Sequence, residues 1–197
     1  MKDLTVIITC YNKYPMINYI VEFFNRHYMN NIEVICIDDH SAWLDDMMPE
    51  WKKIKYIVNP INQGIGKVRQ QALELAVGKY IVFVDGDDIP CENYLSVILE
   101  AIKSNADVIQ FTAIGWPQGD LIEDDKMVWN KAYRRQFILD NNLSFLPHEV
   151  GEDMDFNEAF YALNLKIYKV KDIIYIYNMV TDGLTHTLFN YQPIINP

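Results

Sequence analysis

Tyr80-Ile81-Val82-Phe83-Val84-Asp85-Gly86-Asp87-Asp88 places three carboxylates directly after a continuous apolar run. Such a run, without alternation, is the pattern of a strand covered on both faces, as parallel strands in α/β sheets are. Ligands of open α/β sheets gather at the carboxyl ends of these strands, where the acids stand. Clustered carboxylates repel one another and favour a hard divalent cation such as Mg²⁺ or Mn²⁺, which can bridge to the phosphate oxygens of a nucleotide. The plainer alternative is a solvated acidic turn capping the next helix, with Pro90 close behind.

Working outward, Leu4 to Cys10, Ile32 to Ile37 and Ile54 to Val58 are similar short runs, each followed by Asn, Asp, Gly or Pro, and predict parallel strands. Between them, Met16 to Tyr28 carries Ile17, Ile20, Val21 and Phe24 at helical spacing, and Ile65 to Val77 carries Val68, Ala72, Leu75 and Ala76. Ser96 to Lys103 continues as a helix and Asp107 to Phe111 as a strand, before Gly115-Trp116-Pro117-Gln118-Gly119-Asp120 breaks the rhythm. Val128 to Asn141 and Glu152 to Leu163 read as helices, and Lys166 to Met179 as one or two late strands. The expected architecture is α/β, a mostly parallel sheet flanked by helices with a small C-terminal α+β region. It forms a single domain over 1–197, with a nucleotide-binding half over 1–113 and an acceptor-side half over 114–197.

Half of the 197 residues are hydrophobic, enough for a sizeable core. With 17 Lys+Arg against 27 Asp+Glu the net charge is -10, which opposes loose binding to nucleic acid and offers no basic membrane-binding surface. Cys10, Cys36 and Cys91 lie far apart with no CxxC pair, which fits reduced thiols in a cytoplasmic protein. No apolar segment reaches the roughly 18 residues of a membrane span, so any membrane association is expected to be peripheral, through the acceptor.

The first strand ends in Thr9-Cys10-Tyr11-Asn12 and the second in Asp38-Asp39-His40-Ser41, presenting polar groups to a common crevice. Asp39 is either an acceptor for a base or ribose donor or the cap of a short helix near Ser41. Asn62-Gln63-Gly64-Ile65-Gly66-Lys67-Val68-Arg69 opens a helix with two glycines and two cations, a plausible anion site. It is neither a Walker loop nor a full dinucleotide fingerprint.

Taken in order, Tyr11-Asn12, Asp38-Asp39-His40-Ser41, Asn62-x-Gly64 and Asp85-Gly86-Asp87-Asp88 resemble the family 2 inverting glycosyltransferases of GT-A fold. The likeness is close over residues 4 to 95. It continues more loosely through Val128-Trp129-Asn130-Lys131-Ala132-Tyr133-Arg134-Arg135 to Gly151-Glu152-Asp153. The resemblance implies a Rossmann-like GT-A fold and transfer of a sugar from a nucleoside-diphosphate sugar, a UDP-sugar first, to an acceptor hydroxyl by direct displacement. It implies Mn²⁺ or Mg²⁺ on Asp85, Asp87 and Asp88, with Asp87 the foremost ligand. Thr9, Tyr11, Asn12, Asp39, Gly64, Arg69, Asp85 and Gly86 would line the donor, although Val68-Arg69-Gln70 replaces the commoner Ala-Arg-Asn around the arginine.

Asp153 matches the family's general base, with Glu152 the competing assignment and favourable placement at a helix N-terminus the plainer one for both. His186 is a possible metal or diphosphate ligand set against an ordinary surface role. Trp129 is the preferred aromatic for an acceptor contact. The acceptor would be a saccharide, a lipid-linked saccharide or a protein, with nucleic acid disfavoured by charge. A nucleotidyltransferase-like enzyme and a catalytically silent nucleotide-sugar-binding module are the alternatives.

Overall fold

The computed structural model describes residues 2–14, 16–42, 53–123, 126–148 and 150–179. In chain order the elements are β1 (Leu4–Cys10), α1 (Met16–Arg26), β2 (Ile32–Asp38), β3 (Lys55–Val58), α2 (Ile65–Leu75), β4 (Tyr80–Asp85) and β5 (Ile89–Pro90). Then follow α3 (Tyr94–Ala101), β6 (Val108–Trp116), β7 (Leu121–Ile122), β8 (Lys131–Arg134), α4 (Arg135–Asp140), α5 (Glu152–Tyr161) and β9 (Ile167–Asn178).

Among the described residues the strands form one sheet in the order β3-β2-β1-β4-β8-β6-β9-β5, with β7 added to β6. The first four strands of that order are parallel and in register, so that Cys10 lies beside Asp38 and Thr9 beside Asp85. Their polar ends therefore fall on one edge of the sheet. Side chains leave a strand alternately to either face. Val6 and Ile8 of β1 accordingly join Ile17, Ile20 and Phe24 of α1 and Tyr94 and Ile98 of α3. Ile7 joins Val68 and Ala72 of α2, Ile138 of α4 and Phe156 and Phe160 of α5 on the other face. Both faces are covered, as the apolar runs require.

The stretch expected to be one helix over Val128 to Asn141 is divided. Lys131–Arg134 is a strand, and only Arg135–Asp140 is helical. Ladder demand explains the departure: β8 pairs antiparallel with β4 through Ile81↔Tyr133 and with β6 through Val108↔Tyr133. It thereby satisfies two buried edges that would otherwise leave backbone polar groups unpaired. The sheet thus runs across the 113/114 line. β6 also extends beyond Phe111 through Gly115-Trp116, and the late β pattern is a single strand, β9, parallel to β6 with register shifts around Thr112. No helix among the described residues is long and apolar enough to cross a membrane.

Candidate active site

Gly86 begins the acidic turn because nothing larger fits: a Cβ there would lie 2.7 Å from the carbonyl oxygen of Thr9. The turn therefore packs directly on the end of β1. Asp85 accepts from the Thr9 hydroxyl at 3.3 Å and from Arg69 at 2.7 Å, both on Oδ1. Asp87 pairs through Oδ2 with the Lys13 ammonium at 2.9 Å. Asp88 turns inward and is 1% exposed. Its Oδ2 accepts from the Tyr175 hydroxyl at 2.7 Å, and its Oδ1 from the Asn178 backbone N–H at 2.8 Å. The Tyr175 oxygen in turn accepts the Asp85 N–H, and Asn178 Nδ2 donates to the Asp87 carbonyl. Strand β9 thus grips the whole turn. Burial, then the neighbouring Asp85 and Asp87, pushes the Asp88 carboxyl well above the usual carboxylate range, partly offset by its two donors. Asp88, expected as a metal ligand, is thus buried with one protein donor on each carboxylate oxygen.

Arg69 of α2 also departs from its expected role. It is 4% exposed and donates to Asp85 with one terminal nitrogen and to Glu152 with the other. Burial would lower its proton affinity, but Asp85 and Glu152 more than offset that. The guanidinium is a tie between β4 and α5. Glu152, buried against it, is unsuited to proton transfer. Asp153, one residue on, is only partly buried and accepts the Met154 N–H at 2.9 Å. Burial raises its carboxyl, Arg69 opposes that and Asp85 adds to it. A raised, partly exposed carboxyl is a setting that suits a general base.

Asp39 carries a different load from the one expected. Its Oδ1 accepts from Asn59 Nδ2 at 2.8 Å, and its carboxylate takes the backbone N–H groups of Gln63 and Gly64. It fixes the loop that enters α2, where Gly64 has φ of 84°. Gly66 permits the closest approach, since a Cβ would meet the Leu146 carbonyl oxygen at 2.1 Å. Asn12, with φ of 53°, binds Ser41 Oγ through its N–H and the Ala42 N–H through its side chain. Thr9 is buried, whereas Tyr11 stands 48% exposed at the strand end.

Trp129 is not an acceptor platform. It lies 2% exposed between Tyr175 and Tyr177, with ring centroids 5.3 and 5.0 Å away and planes within 10°. Lys13, Tyr175, Tyr177 and Asn178 escaped the sequence reading. The alternation of rings along Ile173 to Asn178 marks a shared strand face, but nothing in it says what that face meets. His186 lies outside the described residues.

Asp85 and Asp87 remain as the hard-oxygen pair suited to Mg²⁺ or Mn²⁺. The Lys13 ammonium already stands as a cation against one of them, and hard carboxylate oxygens are the donor type such an ion takes. Among the described residues no three His, Cys, Asp or Glu side chains gather closely enough to hold a metal by themselves.

The family described as glycosyl transferase family 2 matches residues 5–152. EpsH of Bacillus subtilis is 26% identical over 200 residues, covering 84% of this chain and 58% of that protein. The poly(ribitol-phosphate) beta-glucosyltransferase of Bacillus spizizenii is 26% identical over 219 residues, covering 96% of this chain and 34% of that protein. The chain therefore spans well under two thirds of the length of either relative. Among solved structures, Staphylococcus aureus TarS 1-349 in complex with UDP-GlcNAc superposes with a TM-score of 0.79 at 23% identity, covering 93% of this chain and 60% of that one. Mannosyltransferase PcManGT from Pyrobaculum calidifontis, in complex with GDP-Man and Mn²⁺, gives 0.70 at 16% identity, covering 93% and 59%. At these identities the likeness establishes the fold, which is GT-A.

Proposed function

This chain belongs to glycosyl transferase family 2, and we propose that it moves a sugar from a nucleoside-diphosphate sugar to an acceptor hydroxyl, with a divalent cation and inversion at the anomeric carbon. One observation carries the reading: the single buried guanidinium of Arg69 holds Asp85 at the end of β4 and Glu152 at the start of α5. This tie sets the strand end that carries the acidic turn beside the helix start that carries Asp153, which supports a direct displacement between them.

Asp85 and Asp87 would hold the Mn²⁺ or Mg²⁺, which when bound supplies Lewis-acid stabilisation of charge on the departing diphosphate. A site built of few carboxylates would suit Mg²⁺, which is usually bound through one or two carboxylates together with substrate phosphates. Tyr11 borders the nucleoside, and Asp39 shapes the base pocket through the backbone it fixes at Gln63 and Gly64. Asp153 takes the proton of the acceptor hydroxyl as that oxygen attacks the anomeric carbon opposite the nucleotide. The bond to the diphosphate breaks with its electron pair on the diphosphate, and no covalent sugar-enzyme intermediate forms. A UDP-sugar is the first donor to test, since TarS, of the same fold, is solved with UDP-GlcNAc.

The experiment is titration of the purified chain with UDP-sugars with and without Mn²⁺, followed by product analysis for the wild type and Asp153→Asn. The variant is expected to keep donor affinity and to lose transfer. Collapse of donor binding in the variant, or release of pyrophosphate by the wild type, would refute the assignment.

A further inference from the structure

Lys13 lies in the loop between β1 and α1, and its backbone is pinned on both sides. Asn12 before it takes Ser41 Oγ on its N–H and the Ala42 N–H on its side chain. The Lys13 carbonyl itself accepts the Ile17 N–H at 3.0 Å as α1 begins. Asp87 is held from the far side, where its carbonyl accepts from Asn178 Nδ2 at 3.0 Å. Between these two anchored backbones the Lys13 Nζ stands 2.9 Å from Asp87 Oδ2. The pair is open to solvent, its side chains 21% and 17% exposed, and a lysine ammonium sits on a flexible four-carbon stem. It can leave the carboxylate without either backbone moving. Asp85 differs: its cation is Arg69, 4% exposed and bound to Glu152 as well. Of these two carboxylates, Asp87 is the one whose cation can be exchanged.

We propose that Lys13 sets the strength of divalent-cation binding at the acidic turn, its ammonium being a resident counterion of Asp87 that Mn²⁺ or Mg²⁺ must displace. Two cations on one carboxylate repel each other, so the metal gains Asp87 only at the expense of the Lys13 pair. The inference rests on the metal assignment proposed above.

The test is titration of the full chain with Mn²⁺ alone, at fixed ionic strength, with unbound Mn²⁺ read by electron paramagnetic resonance. Wild type, Lys13→Met, Asp87→Asn and the double variant form the set. Lys13→Met is expected to bind Mn²⁺ roughly 2- to 5-fold more tightly, the size of one partly exposed ion pair. On the Asp87→Asn background the same substitution should change nothing, because the shared carboxylate is gone. Unchanged or weaker binding in Lys13→Met overturns the proposal. So does equal tightening on both backgrounds, which would make Lys13 a distant charge and not an occupant of Asp87. Lys13→Gln, with a polar end on a shorter stem, repeats the measurement should Lys13→Met fail to fold. If Asp87→Asn alone keeps wild-type Mn²⁺ affinity, the metal assignment of Asp87 fails first and this inference falls with it.

Discussion

The parallel side of the sheet, β3-β2-β1-β4, and the mixed side, β8-β6-β9-β5, do different work. On the parallel side each strand is a local apolar run and its polar end falls at the crevice by register alone, with β1 pairing both to β2 and, further along the chain, to β4. On the mixed side the strands come from distant segments, run in both directions and carry register shifts. The turn carboxylates come from the parallel side; Thr9, Lys13 and Arg69 of α2 meet them there, and Tyr175 and Asn178 reach them from β9 on the mixed side. The difference teaches that presenting acids is a local property, while orienting them is a long-range one.

If that contrast is sound, the largest effect should follow removal of the acid that α5 supplies as general base. Asp153→Asn is expected to lower transfer by roughly 10²- to 10⁴-fold, the usual contribution of general base catalysis, with UDP affinity retained. The wild-type profile should sharpen the point. Because burial raises the Asp153 carboxyl, its base form is lost as pH falls through that raised value. The acid limb of kcat/KM should therefore lie above the ordinary carboxylate range, and a limb at or below that range would contradict this placement.

Arg69→Met cuts the tie between the two sides and strands two carboxylates, Asp85 and buried Glu152. Urea unfolding is expected to report a loss of about 3–5 kcal/mol, the cost of breaking a buried ion pair from one side. Adding Glu152→Gln should restore part of it. Full stability in the single variant would break the comparison.

Gly66→Ala probes how tightly the Leu146 carbonyl is pressed on α2, where a Cβ would meet it at 2.1 Å. An overpacking cost of about 1–3 kcal/mol is expected, read as a lowered thermal midpoint. Tyr175→Phe removes a hydroxyl that serves both Asp85 and Asp88. It should cost about 1–3 kcal/mol by leaving buried polar groups short of a partner, and it should weaken Mn²⁺-dependent UDP binding by loosening the turn. Lys13→Met, wholly on the parallel side and at a partly exposed pair, should change stability by less than about 1 kcal/mol.

Sequence reading succeeded where periodicity and burial act locally. Leu4–Cys10 and the strand bearing Tyr80–Val84 fall where the apolar runs put them, and α1, α2 and α5 begin at the expected residues. It failed at Lys131–Arg134, whose strand state is imposed by two neighbouring ladders that its own residues do not announce. It put Asp87 foremost among the acids of the turn but had no signal that sets Asp88 apart. Asp85, Asp87 and Asp88 are chemically alike, and only the approach of Tyr175 and Asn178 withdraws Asp88 into the core.

The amino-acid sequence by itself determined the parallel scaffold and the supply of carboxylates at its edge, because strand burial and turn chemistry are written in neighbouring residues. Tertiary structure alone decided which carboxylate is drawn inside, which arginine becomes a brace and which strand holds the acidic turn. Those outcomes depend on side chains separated by 70 to 90 positions, such as Arg69 with Glu152 and Asp88 with Tyr175, and no local pattern encodes a contact across that distance.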